Sequence, residues 1–392
     1  MAETLFGIRT LNAIAARGLE RLPSARYQVG DALAQPDAWL VRSADLHTLE
    51  IPASVKAIAR AGAGTNNIPV AALTARGVPV FNAPGANANA VKELVLAGLL
   101  LAARNLCPAW AFVRELELSG AALDTAVEAG KKRFVGFELP GRTLGVLGLG
   151  AIGVEVANAA LALGMRSRGF DPAITVQRAW QLSSSVEQAL SIEHLFGGAE
   201  FLSVHVPLVE ATRGLVNATR LRLLKPGAVL LNFARAEIVV EADVLAALDS
   251  GQLAAYVCDF PSEAIKNHPK VVALPHLGAS TVEAEENCAT LVIETLKDYL
   301  ENGNIRHSVN FPEAQLPRIP GTFRLLIVNA NVPNMVGQIS TALAEAGLNI
   351  ADLLNRSRGE IAYTMIDVEA PLPTPVLDKI RGIVGVLSLR AL

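Results

Sequence analysis

The chain has 392 residues, of which 51% are hydrophobic and 18% charged, with a formal net charge of −3. That length provides for two or three domains with cores of their own, and the composition argues for a well-buried α/β protein rather than disorder. A charge so near zero, with no block of like charges, speaks against nucleic acid as the main partner.

In chain order, the first ninety or so residues alternate short apolar strands with helical stretches: LFGIR, WLVRS, VKAIARAG and VPVFNAPG. This pattern predicts a small α/β domain. Its loops carry Arg42 and Ser43, the run Gly62 to Asn67, and Asn82 to Asn87. Small and amide residues at strand ends suit a polar ligand, and ordinary turn chemistry accounts for the same residue types. The run LVLAGLLLAA from Leu94 is too short to span a bilayer and reads as a buried helix, so no membrane partner is expected.

GRTLGVLGLGAIG, from Gly141, is the most specific stretch. Thr143 to Leu147 reads as a strand, Gly148, Gly150 and Gly153 follow at GxGxxG spacing, and a helix runs to Leu163. A second strand, Met165 to Phe170, ends at Asp171. Glycines in that turn let the backbone approach a pyrophosphate, whose charge the helix N-terminus stabilises. A carboxylate at Asp171 accepts hydrogen bonds from ribose hydroxyls and repels the extra phosphate of NADP, which favours NAD. Arg166 and Arg168 stand close enough to oppose that preference.

Beyond Asp171, FLSVHVPL, AVLLNFAR, AAYVCDFP and KVVALPH continue the alternation, several of them apolar throughout, as strands buried on both faces are. Ser280 and Glu283 form a capping-box pattern that opens a long helix. Pro312, Pro317, Pro320 and Gly321 then break regular structure, predicting a linker. The last seventy residues read as a strand (Phe323 to Asn329), a helix with Val336, Ile339 and Leu343 on one face, two strands, a helix and a final strand. The expected fold is α/β: two Rossmann-like or flavodoxin-like doubly wound parallel-sheet domains plus a ferredoxin-like βαββαβ module. The expected boundaries are 1–92 with 280–312, then 93–279, then 320–392. Cys107, Cys258 and Cys288 lie far apart in no metal-like spacing, and the opening MAETLFGIRT lacks a signal-peptide pattern. Neither a disulfide framework nor a metal site is expected, and a cytoplasmic setting fits.

Three polar residues stand at predicted strand ends, where open parallel sheets bind ligands: Arg235, Glu263 and His276. A guanidinium clamps a carboxylate and polarises the neighbouring carbonyl, while an imidazole moves a hydroxyl proton and a nearby acid supports its charge. Singly, each reads equally well as a cap, a solvated acid or a core histidine. His205 is a rival base with no partner signal.

VRS at Val41, IARAGAGTNNI at Ile58, FNAPGANANAVKEL at Phe81, GRTLGVLGLGAIG at Gly141, NFARAEIV at Asn232 and PHLGAST at Pro275 together resemble the D-isomer-specific 2-hydroxyacid dehydrogenases over nearly the whole chain. The resemblance implies Arg235, Glu263 and His276 as the catalytic set. It implies NAD held by the glycine loop with Ala151, Ile152, Asp171, Val206, Ala234, Asp259 and the backbone at Gly278. It implies a substrate held by Arg42, Ser43 and Asn82 with Arg235 and His276, and 3-phosphoglycerate as that substrate. Two departures stand out. The usual Arg-Gly-Gly is Arg235-Ala236-Glu237, and the usual Asp-Val-Phe is Cys258-Asp259-Phe260, so an ungapped match puts the acid at Glu263 and a one-residue gap moves it. Arg60, Lys131, Lys132 and Arg133 are the cations open to a substrate phosphate; for the last three, a solvated surface run is the alternative. The C-terminal module resembles an ACT domain. That implies L-serine as effector near Asn331 and Asn349, with Asn329 where relatives often have histidine, and a homodimer or homotetramer. A hydroxypyruvate or glyoxylate reductase, or a non-catalytic nucleotide sensor, are the readings that stand against it.

Overall fold

A computed structural model describes residues 5–392, which separate into two compact units: the segment up to Asn87 together with Val282–Leu392, and Ala88–Thr281. In the first unit, β1 (Phe6–Leu11), β2 (Tyr27–Gly30), β3 (Ala38–Val41), β4 (Ala57–Arg60) and β5 (Val80–Phe81) form a parallel sheet in the order β2-β1-β3-β4-β5. Successive residues of β3 and β4 point to opposite faces, and both faces are covered, which is why these strands are apolar throughout. Ala38, Leu40, Ala57 and Ala59 pack against the helix Val282–Asn302, whose residues Cys288, Val292, Leu296 and Leu300 recur at i+4 along one stripe. Trp39, Val41 and Ile58 face a second cluster with Leu73 and Val80. Sheet order reverses between β1 and β3, so the loops after these two strands meet at a crevice.

The second unit holds β6 (Thr143–Leu147), β7 (Arg166–Phe170), β8 (Glu187–Gln188), β9 (Phe201–Val204), β10 (Ala228–Asn232), β11 (Leu253–Cys258) and β12 (Val271–Ala273). All pair in parallel, in the order β12-β11-β10-β9-β6-β7-β8. Here the order reverses between β6 and β9. The LVLAGLLLAA run lies in the helix Ala88–Ala103, which buries Val91, Val95 and Leu99 in the core of this unit. The unit therefore begins at Ala88, where that helix begins, and not at residue 93. No single helix among the described residues is long and apolar enough to cross a membrane.

At the C-terminal end of the first unit, β13 (Phe323–Ala330), the helix Met335–Glu345, β14 (Ile350–Arg358), β15 (Ile361–Val368), the helix Thr374–Arg381 and β16 (Val386–Ala391) form an antiparallel sheet in the order β14-β15-β13-β16. This is the ferredoxin-like βαββαβ arrangement. Its first helix buries Met335, Ile339, Ala342 and Leu343, with Val336 only half-buried, so the apolar face is turned by one position from the expected one.

The segment read as a linker is docked instead. Phe311, Ala314 and Leu316 are buried, and Ile305 and Ala314 exchange backbone hydrogen bonds of 2.7 and 3.1 Å. A buried ion pair anchors it. Arg324 is fully buried and pairs with equally buried Asp367 through Nε to Oδ1 at 2.7 Å and Nη2 to Oδ2 at 2.6 Å. Its remaining donors reach the carbonyls of Asn302 at 3.0 Å, Leu316 at 2.7 Å and Pro317 at 2.9 Å. A buried guanidinium is tolerated only when its donors are satisfied, so this pair fixes where the proline-rich segment must run.

Candidate active site

The glycine loop joins β6 to the helix Ala151–Ala162. Gly148 has φ +91°, and a Cβ there would lie 2.8 Å from the carbonyl of His205 and 2.9 Å from Val206 Cγ1. The turn thus passes directly against the loop after β9, at the reversal of strand order. A Cβ at Gly153 would lie 1.9 Å from the Gly148 carbonyl oxygen, so only glycine allows helix and turn to pack this closely. At Gly150 a Cβ would meet nothing within 4 Å, which leaves open space before the N–H groups of Ala151 and Ile152; no side chain caps this helix. Uncapped N–H groups beside open space suit a pyrophosphate.

Asp171 follows β7. Its Oδ2 accepts the Leu149 N–H and its Oδ1 the Ala173 N–H, both at 2.9 Å. The carboxylate is held at the end of β7, with lone pairs left for ribose hydroxyls. Arg168 is committed elsewhere: it pairs with Glu187 at 3.0 Å and donates to the carbonyls of His194 and Gly197. Of the two arginines that could draw in an NADP phosphate, only the exposed Arg166 makes no such bonds.

On the same sheet, β10 ends at fully buried Asn232, whose Nδ2 donates to the Arg235 carbonyl at 2.9 Å while its Oδ1 accepts the Ala234 N–H at 3.1 Å. Asn232 therefore shapes the loop that presents Arg235. The Arg235 guanidinium is half-buried, donates to the Ala234 carbonyl at 2.6 Å and has no ion pair among the described residues. One strand over, Cys258 faces the core, and the next residue, Asp259, is 1% exposed. Its carbonyl accepts the His276 N–H at 3.0 Å, and its Oδ2 accepts the Gly278 N–H at 3.3 Å. Burial raises the Asp259 pKa, and the charges of His276 and Arg235 work in the opposite direction. Its Oδ1 is buried without a partner. His276 adopts φ +38° and is exposed, with its ring 5.1 Å from that of Phe260.

Arg235, His276 and Asp259 are thus gathered at the carboxyl edge of one sheet. Glu263 is not gathered with them: it is exposed and makes no hydrogen bond or ion pair among the described residues. Its loop is anchored on either side, by Ser262 Oγ donating to Glu241 at 2.6 Å and by buried Ile265. His205 is tied to Ser203 Oγ at 2.8 Å, and burial pushes its pKa down to about 3, so it stays neutral where a base must accept a proton.

The loops of the first unit carry a second polar cluster. Asn12, with φ +69°, accepts the N–H groups of Ser43 at 3.2 Å and Ala44 at 2.5 Å across the β1–β3 reversal. Arg42 pairs with Glu285, and its carbonyl accepts Arg60 Nε at 3.0 Å and Asn67 Nδ2 at 3.4 Å. Gly62 makes room for this: a Cβ there would lie 2.1 Å from Arg60 Nη1. Asn82 Nδ2 donates to the Ala63 carbonyl at 2.5 Å. Arg42, Ser43, Arg60 and Asn82 therefore share the carboxyl edge of the first sheet. Lys131, Lys132 and Arg133 lie instead on an exposed turn of the second unit, where Lys131 pairs with Glu128 and Arg133 stacks over Phe112 and Phe134. The sequence assigns no role to Asn12 and names Asn232 only as the start of a motif; an amide closing an apolar strand, as in AVLLN, is the signal that marks the second.

In the C-terminal module, Asn329 is buried and bonded to Ala330 and Thr364. Asn331 is bonded to Gly359 and Glu360 at one end of β15, while Asn349 is bonded to Glu369 at its other end. Nine residue steps of strand separate the two, about 30 Å. No cluster of three or more metal-ligating side chains occurs among the described residues.

Residues 96–278 match the family model described as the D-isomer specific 2-hydroxyacid dehydrogenase, NAD binding domain. A D-3-phosphoglycerate dehydrogenase of Haemophilus influenzae is 36% identical over 341 residues, covering 84% of this chain and 79% of that protein. The enzyme of the same name from Escherichia coli K12 is 32% identical over 342 residues with the same coverage. Among solved structures, the NAD+-bound 3-phosphoglycerate dehydrogenase of Entamoeba histolytica superposes with a TM-score of 0.61 at 26% identity, over 78% of this chain and 99% of that one.

Proposed function

This chain belongs to the D-isomer-specific 2-hydroxyacid dehydrogenases, and from that premise we propose that it oxidises 3-phospho-D-glycerate to 3-phosphohydroxypyruvate with NAD, the first step from that precursor to L-serine. The observation that carries the reading is the pairing of an uncommitted arginine with an exposed histidine at the carboxyl edge of the nucleotide-binding sheet. Bound NAD supplies the acceptor for the hydride that leaves C2 of the substrate. Gly148, Gly150, Ala151, Ile152 and Gly153 would hold its pyrophosphate, Asp171 its ribose, and Val206 and Ala234 its nicotinamide half. Asp259 Oδ1, buried and unpartnered, is an acceptor of the kind a carboxamide N–H requires, and Gly278 keeps the other oxygen in place.

Arg235 would clamp the substrate carboxylate with two parallel hydrogen bonds, and His276 Nε2 or Nδ1 would take the C2 hydroxyl proton. The resemblance assigns the acid behind His276 to Glu263. Asp259, a buried carboxylate whose charged form His276 and Arg235 favour, accepts the His276 N–H through its carbonyl. We therefore give Asp259 charge support of His276 as well as cofactor contact, with Glu263 as the competing assignment. Arg42, Ser43, Arg60 and Asn82 would bind the phosphorylated end of the substrate, two guanidinium groups suiting a dianion better than a neutral hydroxymethyl group.

The C-terminal module is proposed as an ACT domain that binds L-serine. Asn331 and Asn349 lie too far apart for one amino acid to touch both, so such a site draws the two residues from two copies of the chain. Self-association has a candidate surface in the helix Leu106–Arg114, which buries none of its residues and exposes Leu106, Trp110 and Val113. A homodimer or homotetramer in the cytoplasm is the expected form. Steady-state rates with 3-phosphohydroxypyruvate, hydroxypyruvate and glyoxylate, with and without L-serine, test the reading. Preference for the phosphorylated acid and suppression by serine are expected. Turnover of only the unphosphorylated acids would make the protein a general 2-hydroxyacid reductase, and NADH binding without turnover would make it a sensor.

A further inference from the structure

A cavity of about 490 Å³ lies in the first unit, between the start of its parallel sheet and the C-terminal module. One wall comes from the residues that lead into β4 and β5, including Ser54, Lys56, Arg76 and Val78; the other comes from β13, β15, β16 and the helix Val282–Asn302. This is the amino edge of the sheet, opposite the edge that carries Arg42, Ser43 and Asn82. Three cations line the cavity and no acid does. Lys56 is neutralised by Asp37 at 2.6 Å, which leaves Arg76 and Arg390 without a carboxylate partner among the described residues; Arg76 donates to the carbonyls of Ile51 at 3.0 Å and Pro52 at 2.9 Å and keeps its charge.

Arg390 is the telling residue. Its guanidinium sits 4.6 Å over the Tyr299 ring, and Nη2 donates to the Tyr299 carbonyl at 2.5 Å. Its Nε and Nη1 are buried without a partner, and so is Ser54 Oγ in the facing wall. The same module shows what a satisfied buried arginine looks like, in Arg324 with Asp367. Unmet donors around a cavity, with net positive charge and apolar walls from Tyr299, Leu326 and Leu387, define the chemistry of an occupant.

We propose that this cavity binds a small organic anion, its phosphate or carboxylate group held by Arg390, Arg76 and Ser54 and its apolar body lying against Tyr299 and Leu387. Such an occupant bridges β16 to the entries of β4 and β5, and so ties the C-terminal module to the sheet whose far edge carries Arg42 and Asn82. The site is separate from the catalytic edge and from the asparagines of the module.

Calorimetric titration of the full chain with phenyl phosphate, benzoate and phenol tests the proposal. Saturable binding of either anion at one per chain, with phenol failing to bind, is expected; the tighter of the two anions identifies the headgroup. Arg390→Gln should weaken binding about tenfold or more. Leu387→Trp, at a partly exposed wall position, should abolish it with Arg390 intact, and circular dichroism melting confirms that both variants fold. Arg235→Gln should leave binding unchanged. Binding of phenol as tight as the anions, binding untouched by both cavity variants, loss of binding in Arg235→Gln, or no saturable binding of either anion at millimolar concentration would overturn it.

Discussion

Arg324 and Arg235 are the same residue type put to opposite uses. Arg324 is fully buried and makes hydrogen bonds to both oxygens of Asp367 and to three carbonyls, leaving it nothing to offer a ligand. Arg235 is half-buried and donates one hydrogen bond, to the carbonyl of the residue before it. The first holds a fold together, because removing its partner would strand a charge in the core. The second is held in place by its backbone, through Asn232, while most of its guanidinium donors stay unspent. A functional arginine is marked by the hydrogen bonds it lacks.

Five substitutions sharpen or break that contrast. Asp367→Ala should have the largest effect, a loss of about 3–5 kcal/mol of stability, because it leaves Arg324 buried and unpaired; urea denaturation measures it, and a small loss would show that water reaches the pair. Arg235→Gln should lower kcat/KM on the order of 10²–10³-fold, as expected when a donor to developing charge is removed, with an unchanged melting temperature. A falling melting temperature would make Arg235 structural.

Asp259→Asn and Glu263→Gln divide the role of the acid. Loss of the buried Asp259 should cost more in kcat/KM than loss of exposed Glu263. The reverse ranking would return the acid to Glu263. The smallest effect is expected at His205. Its pKa falls from 6.5 to about 3 on folding, so the unfolded state takes up the proton first. Its contribution to stability is complete above pH 6.5 and is lost as pH falls toward 3, by at most about 1.4 kcal/mol per pH unit. His205→Gln should flatten the acid side of the stability curve and leave the pH–rate profile unchanged.

The nucleotide loop was legible in sequence because everything it needs is local. Gly148, Gly150 and Gly153 sit between a strand and a helix, and Asp171 closes the next strand. The βαββαβ order was legible for the same reason, from apolar periodicity within each element. What stayed hidden depends on distant residues. Asp367 is 43 positions from Arg324, and their pairing lets Arg324 hold the carbonyls of Leu316 and Pro317 in a docked strap. Asn12 serves Ser43 across a sheet reversal that no local pattern reveals. The acid at Glu263 was ambiguous because the departure at Cys258-Asp259-Phe260 allows a one-residue gap; the strand buries Cys258 in the core and leaves Asp259 at the sheet edge, its carbonyl accepting the His276 N–H. Asn331 and Asn349 matched a motif, but a motif says nothing of their placement at opposite ends of a strand.

The central claim is that Arg235 is kept free for the substrate carboxylate. Single-turnover oxidation of NADH with 3-phosphohydroxypyruvate, by the native chain and by Arg235→Lys, tests it most directly, with NADH affinity measured on both. The account predicts a rate loss on the order of 10²-fold, since an ammonium cannot reproduce the paired bonds of a guanidinium, with NADH affinity unchanged. An unchanged rate, or a loss matched by weakened NADH binding, would contradict it.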